Sequence, residues 1–394
     1  MPRLSIKDLD LKGERVFIRV DFNVPLDERG QVADDTRIRA SLPTLEHALK
    51  EGARVILASH LGRPKGKADP KYSLCPVSLR LEELLGKKII MAPDCVGEQI
   101  RSMAEALKPG EEVLLLENLR FHPGEEANEE GFCRELANLA DLYVNDAFGT
   151  AHRAHASTQG MIRFVKAAAA GFLMQAELDY LSQALEAPER PFLTILGGVK
   201  VSDKIAVLEN LLGKVDFLLI GGAMAYSFLK AQGVEVGNSR VEEDKLVFAA
   251  DILKEAQERG VDLLLPVDHV AAREIKKGAE ARVMKGKVED GWMGLDIGPE
   301  TIQLFTQTIS KARTILWNGP LGVFEMEEFS RGSMEIARAV ASSGVLTITG
   351  GGDTAAAVAQ AGVADKITHV STGGGASLEL LEGKKLPGVE ALER

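Results

Sequence analysis

The chain has 394 residues, of which 45% are hydrophobic and 27% charged, and this composition is typical of folded globular domains. Its length favours two domains over one. The net charge of −11 argues against a general nucleic-acid surface, and no apolar run is long enough to predict a membrane span. The N-terminus has no signal-peptide core and the three cysteines form no C-x-x-C pair. We therefore expect a cytoplasmic protein with reduced thiols and with no nucleic-acid or membrane partner. We also expect a monomer, an expectation that does not come from the composition.

Short apolar runs alternate with helix-like segments along the whole chain. Nearly continuous runs of this kind are typical of parallel strands that are buried on both faces. Their alternation with helices predicts an α/β fold with a doubly wound parallel sheet in each half. The predicted strands are Val16–Val20, Arg54–Ala58, Val113–Leu116, Leu142–Val144, Phe192–Leu196, Phe217–Ile220, Leu263–Leu265, Thr314–Trp317, Leu346–Thr349 and Thr368–Val370.

A stripe of leucines at helical spacing separates the two halves. It follows Gly171, begins at Leu173 and ends before Pro188. We predict a first domain over residues 1–171, a connecting helix over 172–187 and a second domain over 188–379.

Polar side chains follow each predicted strand of the first half. Ligands of open α/β sheets bind outside the carboxyl ends of the strands, and the arginine fork suits carboxylate and phosphate oxygens. A single arginine or histidine is more often a surface or structural residue, but the repetition favours a site for a small polyanion. Arg37 is a further candidate that the spacing alone does not place, whereas His47, His122 and His269 are expected to be structural. The residues after the strands are Asp21, Phe22, Asn23, His60, Leu61, Gly62, Arg63, Arg120, His152 and Arg153.

Glycine turns follow the predicted strands of the second half. Two of them lead directly into helix-like segments, where free backbone N–H groups attract anions. A single glycine triplet would favour an ordinary loop, but two predict a phosphate-rich ligand, with Asp353 placed to bind its metal ion. The turns are Gly197-Gly198, Gly221-Gly222, Gly350-Gly351-Gly352 and Gly373-Gly374-Gly375.

Other polar residues accompany these turns. Lys200 and Lys204 are four residues apart, so on a helix they would share one face and could reach phosphates. Asn318 and Pro320 follow another predicted strand, and Glu325 could accept hydrogen bonds from a ribose, although alone it would be a surface carboxylate.

Two other classes of function fit part of the pattern. A nicotinamide-dependent dehydrogenase would use the G-x-G-x-x-A turn at Gly350, but the next strand ends without the acidic residue that binds the ribose. A non-catalytic binding protein for sugar phosphates would explain the basic residues but neither the lysine pair nor Asp353.

Several segments, in this order along the chain, resemble the signature of the phosphoglycerate kinase family. The resemblance covers almost the whole chain, and its departures are small: Val199 stands where the family often has alanine, and Thr354 is an accepted alternative to serine. The segments are Arg15 to Pro25, Ser59 to Pro64, Leu116 to Phe121, Ala151 to His155, Trp317 to Pro320, Gly350 to Thr354 and Gly373 to Gly375.

The resemblance implies a glycolytic enzyme of two Rossmann-like domains with a hinge-bending cleft. Such an enzyme moves the acyl phosphate of 1,3-bisphosphoglycerate to Mg-ADP, reversibly and directly in line, and gives 3-phosphoglycerate and ATP. The first domain would bind 3-phosphoglycerate and the second the nucleotide. Residues 380–394 would fold back onto the first domain.

The resemblance also implies a role for each matching residue. Arg63, Arg120 and Arg153 would bind the 3-phosphate, Lys200 would follow the transferring group, and Glu325 would accept from the ribose. The implied catalytic groups are Arg37, Lys200 and the backbone N–H groups of Gly373, Gly374 and Gly375. The implied 3-phosphoglycerate ligands are Asp21, Phe22, Asn23, Arg37, His60, Leu61, Gly62, Arg63, Arg120, His152 and Arg153. The implied nucleotide ligands are Gly197, Gly198, Lys200, Lys204, Gly221, Gly222, Gly294, Asn318, Pro320, Glu325, Gly351, Gly352, Asp353 and Thr354, with Asp353 as the Mg²⁺ ligand.

Overall fold

A computed structural model describes residues 4–393 of the chain. Its strands are β1 (Arg15–Val20), β2 (Arg54–Ala58), β3 (Lys88–Met91), β4 (Glu112–Leu115), β5 (Leu142–Asp146), β6 (Ala167–Ala170), β7 (Phe192–Leu196), β8 (Phe217–Ile220), β9 (Asp262–Leu264), β10 (Asp268–Ala272), β11 (Arg282–Lys285), β12 (Met293–Ile297), β13 (Thr314–Asn318), β14 (Leu346–Gly350) and β15 (His369–Val370). Its α-helices are α1 (Thr36–Lys50), α2 (Cys75–Leu85), α3 (Glu98–Ala106), α4 (Pro123–Glu126), α5 (Glu130–Ala137), α6 (Phe172–Glu186), α7 (Ile205–Leu212), α8 (Ala225–Ala231), α9 (Leu246–Arg259), α10 (Pro299–Ile309), α11 (Arg331–Ala341), α12 (Gly352–Gln360), α13 (Gly375–Leu381) and α14 (Pro387–Glu390).

The chain forms two compact units. One contains the described residues up to Leu178 together with those from Lys385 onward, and the other extends from Asp179 to Lys384. The division lies within α6, so this helix belongs partly to each unit. In the first unit, the N–H of Gly388 donates to the carbonyl of Ala151 at 2.8 Å, which fastens the C-terminal segment there.

The first unit is built on a six-stranded sheet in the order β3-β4-β2-β1-β5-β6, and every neighbouring pair is parallel. The central strands β1 and β5 are buried almost throughout, as parallel strands covered by helices should be. From β1 the sheet grows first toward β2 and later toward β5. Because parallel strands all end at the same edge, residues that follow β1 and β5 meet at this switch point.

The second unit contains another six-stranded parallel sheet, in the order β15-β14-β13-β7-β8-β9. Its switch point lies between β7 and β13. Three further strands form a separate antiparallel sheet in the order β11-β10-β12. Trp292, just before β12, is buried in the small apolar cluster that covers this second sheet.

The α/β fold with two parallel sheets is confirmed, and the predicted strands agree with the observed ones to within two residues. The two edge strands β3 and β6 and the antiparallel sheet escaped prediction. Strand β6 consists of four alanines, which carry no strand preference of their own, so only its pairing with β5 makes it a strand. Over residues 4–393, no helix combines the length and apolar character that crossing a bilayer would require.

Candidate active site

The loop after β1 forms the floor of a polar site in the first unit. The N–H of Phe22 donates to Oγ of Ser59 at 2.8 Å, and the N–H of Gly62 donates to Oδ1 of Asn23 at 2.9 Å. These hydrogen bonds join the loop after β1 to the loop after β2. Phe22 is fully buried, so it anchors the loop rather than lining a surface.

Arg37 reaches this site from the first turn of α1. Its Nη1 donates to the carbonyl of Asn23 at 2.9 Å and lies 3.2 Å from Oδ2 of Asp21. Its side chain keeps 36% of its exposure, so the guanidinium is fixed on one side and open to solvent on the other. The structure therefore brings Arg37 to the site, a placement that sequence spacing could not give.

Arg120 follows β4 and is almost fully buried. Its Nη1 donates to the carbonyl of Gly62 at 2.8 Å, and its Nε lies 3.2 Å from Oε1 of Glu126. Burial and the neighbouring charge of Arg153 lower the pKa of Arg120 to about 10. Arg120 and Arg153 thus lie close together where solvent screens their charges poorly. A bound anion would reduce the repulsion between these two positive charges.

His60 is buried among these arginines. Burial lowers the pKa of His60 well below 6.5, and the positive charges of Arg19, Arg120, Arg153 and Arg37 lower it further. His60 is therefore neutral at pH 7 and can take part only through hydrogen bonding.

His155 belongs to the same group. Burial lowers the pKa of His155 to about 4, with further lowering by Arg120, Arg19 and Arg153. We refer to these four arginines and two histidines, Arg19, Arg37, Arg120, Arg153, His60 and His155, as the basic cluster.

Arg19 is a member of the basic cluster that sequence reasoning missed. It is 1% exposed, its Nε donates to Oγ of Ser157 at 2.9 Å, and its Nη2 lies 3.3 Å from Nδ1 of His60. The buried carboxylate of Glu125 accepts from Ser157 Oγ at 2.6 Å and from Ser157 N–H at 3.0 Å. Burial raises the pKa of Glu125, while Arg19 opposes that rise. An arginine inside the apolar run of β1 was the available signal.

The remaining candidates of the first unit differ in their placement. Leu61 is buried, and its carbonyl accepts from Nδ2 of Asn118 at 2.7 Å. Arg153 Nε donates to Nε2 of His152 at 3.3 Å, which brings both to the edge of the cluster. Arg63 is exposed and, among the described residues, forms no hydrogen bond or ion pair. Its predicted role thus depends on a ligand drawing it inward.

A cleft of about 840 Å³ opens at the switch point of the second unit. We refer to it as the glycine cleft. Of the predicted nucleotide ligands, all except Gly221 line it; Gly221 is buried, and an added Cβ there would meet the side chain of Leu321. The predicted residues that line the cleft are Gly197, Gly198, Lys200, Lys204, Gly222, Gly294, Asn318, Pro320, Glu325, Gly351, Gly352, Asp353 and Thr354.

Close backbone approach explains why glycine stands at the floor of this cleft. A Cβ on Gly197 would collide with the carbonyl oxygens of Gly319 and Pro320, which belong to the loop after the neighbouring strand β13. A Cβ on Gly294 would collide with the hydroxyl of Tyr226. Any side chain at these positions would displace part of the wall, so the cleft keeps its shape only with glycine.

The two lysines of the cleft do not share a helix, so that expectation was wrong. Lys200 lies before the 3₁₀ turn Ser202–Lys204, which Lys204 ends, and α7 begins only at Ile205. Lys204 donates from Nζ to Oδ1 of Asn318, whose Nδ2 donates to the carbonyl of Gly350 at 2.9 Å. Burial lowers the pKa of Lys204 to about 8. Lys200 is exposed, and both lysines still line the cleft.

The first turn of α12 carries the candidate metal ligand. The Oγ1 of Thr354 accepts from the N–H of Gly319 at 2.7 Å, which fixes this turn against the loop after β13. Asp353 is exposed at the cleft, one residue after the glycine that begins the helix. A single carboxylate oxygen beside a place for phosphates fits Mg²⁺, which binds through one or two carboxylates, substrate phosphates and water.

The second glycine triplet contributes only in part. Gly374 and Gly375 line the cleft, whereas Gly373 does not, and its N–H donates to Oγ of Ser371 at 3.1 Å. The predicted role of Gly373 in stabilising transferring oxygens would therefore require this hydrogen bond to break.

Comparison with known proteins gives one consistent result. The sequence model described as phosphoglycerate kinase matches residues 6–384. A phosphoglycerate kinase of Anaeromyxobacter sp. (strain K) is 61% identical over 99% of each chain, and a cytosolic one of Triticum aestivum is 56% identical over 99% of this chain and 98% of its own. The structure of phosphoglycerate kinase from Coxiella burnetii has a TM-score of 0.91, with 43% identity over 100% of this chain and 99% of its own. That of Pyrococcus horikoshii OT3 has a TM-score of 0.85, with 34% identity over 99% and 98%.

Proposed function

The chain belongs to the phosphoglycerate kinase family, and on this premise we propose that it transfers the acyl phosphate of 1,3-bisphosphoglycerate to ADP, reversibly, giving 3-phosphoglycerate and ATP. One observation carries the proposal beyond family membership. Each unit has its own candidate anion site at the switch point of its own sheet, the basic cluster in one and the glycine cleft in the other. Two anionic substrates that exchange a phosphoryl group require two such sites.

The basic cluster would hold 3-phosphoglycerate. Arg120 and Arg153, with Arg63 drawn in on binding, supply the paired donors that a phosphate needs. Arg37 is aligned by Asp21 and the carbonyl of Asn23, so it can donate to the carboxylate end, where charge develops during transfer. Little covalent chemistry is required of the protein, since positioning and charge stabilisation account for most of the catalysis of phosphoryl transfer.

The glycine cleft would hold the nucleotide. The adenine would lie against the wall that Gly197 and Gly294 line, and Lys204 is held by Asn318 beside the place for the phosphates. Lys200, exposed and without an ion pair among the described residues, is free to follow the transferring phosphoryl group. Mg²⁺, held by Asp353 and the nucleotide phosphates, would neutralise charge on the phosphate oxygens.

Transfer between two units also requires a conformational step. Reacting atoms must approach to about 3–3.5 Å, and water must be excluded from the acyl phosphate. We propose that the domains with these two ligands follow the predicted limits, that they close about α6, and that residues 380–394 return to the first domain. Small-angle scattering should show the largest fall in radius of gyration with both substrates bound. An unchanged radius in that ternary complex would refute closure.

The remaining expectations concern the setting of the enzyme. We propose that it acts as a monomer in the cytoplasm, on soluble substrates and with no nucleic-acid or membrane partner. A molar mass near 42.5 kDa by light scattering across a range of concentrations supports the monomer. A mass of twice that value would contradict it.

A coupled assay tests the activity directly. The protein is mixed with Mg-ATP and 3-phosphoglycerate, and the product is reduced by an excess of a coupling dehydrogenase with loss of NADH absorbance. We expect loss that depends on both substrates and disappears in Asp353→Ala, with Asp365→Ala, outside the cleft, as the matched control. NADH loss that does not require the added coupling enzyme would favour a dehydrogenase. Binding of 3-phosphoglycerate without turnover would favour a binding protein.

A further inference from the structure

Three side chains of metal-binding chemistry meet on the first unit, and none of them is among the residues proposed to bind substrate. They are Asp94, Cys95 and His122, and one ligand atom from each lies within 4.8 Å of the others. Asp94 and Cys95 lie in the segment between β3 and α3, and His122 directly precedes α4. We propose that these residues form a binding site for a thiophilic divalent cation of the zinc class.

The donor set indicates which cation this site would take. A thiolate, an imidazole nitrogen and a carboxylate oxygen are the three ligand types of zinc sites, and three protein ligands leave a fourth position for water. Mg²⁺ and Ca²⁺ select oxygen ligands and would not use the sulfur or the imidazole. The site therefore differs in chemistry from the Asp353 site of the glycine cleft.

The geometry requires only a local adjustment. Nε2 of His122 lies 2.6 Å from Oδ1 of Asp94, as a hydrogen-bonded pair. Ligand atoms around one tetrahedral zinc are about 3.5 Å apart, given bonds of about 2.0–2.3 Å, so the pair must open by roughly 1 Å. Side-chain exposures of 53% for Asp94 and 28% for His122 leave room for this movement and an entrance from solvent.

The Cys95 sulfur is the buried member of the three proposed ligands. Cys95 is buried, and its Sγ donates to the carbonyl of Glu117 at 2.9 Å. On binding, the S–H bond is replaced by an S–metal bond and the proton passes to the buffer. His122 is already oriented, because its ring stacks on Phe132 with the ring centroids 4.9 Å apart. A cation held here would thus bridge the loop after β3 to the segment that follows β4.

Cobalt titration of the full chain, without nucleotide, tests the proposal. We expect one Co²⁺ per chain, a near-ultraviolet thiolate-to-cobalt absorption band, and its displacement by Zn²⁺ but not by excess Mg²⁺. Cys95→Ser should abolish the band. His122→Gln should weaken Co²⁺ binding by at least about tenfold, the lower end of the loss caused by removing even groups that only support a ligand.

Matched variants separate this site from the other thiols. Cys75→Ser, at an exposed position, and Cys133→Ser, at another buried position of the same unit, should leave the band and the affinity unchanged. Asp94→Ala alters only an exposed side chain, so it does not disturb the core. It therefore tests the site even if Cys95→Ser misfolds, and it should weaken Co²⁺ binding. A band that survives Cys95→Ser, or Co²⁺ affinity that is the same in His122→Gln and Asp94→Ala as in the unmodified protein, would overturn the proposal.

Discussion

Replacing His155 with asparagine should change how the stability of the protein depends on pH. His155 is enclosed by the basic cluster, and burial lowers its pKa to about 4, with Arg120, Arg19 and Arg153 adding to the effect. In the unfolded chain the pKa of this histidine returns to about 6.5. Between these values the unfolded chain binds a proton that the folded protein excludes. Stability should therefore fall as the pH falls from about 6.5 to about 4.

The size of the effect follows from the two pKa values. At 1.36 kcal/mol for each pKa unit, the gap between 6.5 and about 4 corresponds to roughly 3 kcal/mol. The His155 side chain is only 14% exposed, so solvent screening reduces this value little. Asparagine at this position does not titrate, so the variant should lose less stability on acidification than the unmodified protein.

Urea denaturation at half-unit steps from pH 7.5 to pH 4 measures the difference between the two proteins. Over this range, the free energy of unfolding of the unmodified protein should fall by roughly 3 kcal/mol more than that of His155→Asn. Tyr143→Phe is the matched control, because it removes the 2.8 Å hydrogen bond to the Ser157 carbonyl without removing a group that titrates there. Its cost should be the same at every pH. A difference between unmodified protein and His155→Asn that stays constant with pH would refute the reasoning.

Three further predictions concern catalysis and binding, each checked by steady-state kinetics with both substrates. Arg37→Ala should lower kcat by roughly a hundredfold or more, because it removes a preorganised donor to developing charge. Arg63→Ala should instead mainly raise KM for 3-phosphoglycerate. If both variants changed only KM, and by the same factor, this division of roles would be contradicted. Lys200→Ala should lose at least about a hundredfold in kcat, while calorimetry should still detect ATP binding through Lys204. Abolished ATP binding with kcat preserved at saturation would show that Lys200 binds the nucleotide rather than assisting the transfer. Gly294→Ala should raise KM for ATP and cost about 1–3 kcal/mol of stability through overpacking, and unchanged values for both would contradict the predicted wall of the cleft.

The strand ends were predictable because their chemistry is local. A buried run followed at once by glycine or by a polar residue identifies both the strand and its functional edge, and parallel pairing brings those edges together. Asp21, His60 and Arg120 were predicted in this way. Arg37 was not placed by this rule, because it lies in the first turn of a helix and reaches the loop after β1 only through tertiary contact.

Features that depend on residues far apart along the chain could not be predicted from the sequence. Arg19 is acceptable in a buried strand only because Ser157, 138 positions away, accepts from it and Glu125 supplies a negative charge nearby. Strand β6 exists only through its pairing with β5. The lysines were misplaced on one helix because the chain stays non-helical at Lys200, and spacing alone cannot reveal where a helix begins.

We expect binding strength and stability to oppose each other at the basic cluster. Arg120 is buried beside Arg153, with Oε1 of Glu126 near its Nε, and its lowered pKa reflects first its burial and then the like charge of Arg153. Buried Glu125 offsets part of that repulsion. Asp21 pairs with Arg37 and Glu126 with Arg120, so the proposed phosphate would compensate the positive charge that these carboxylates and Glu125 leave. Burial keeps His60 and His155 neutral, and the same positive charges add to this effect, so the expected loss of stability in acid reports on burial and charge together at the proposed substrate site.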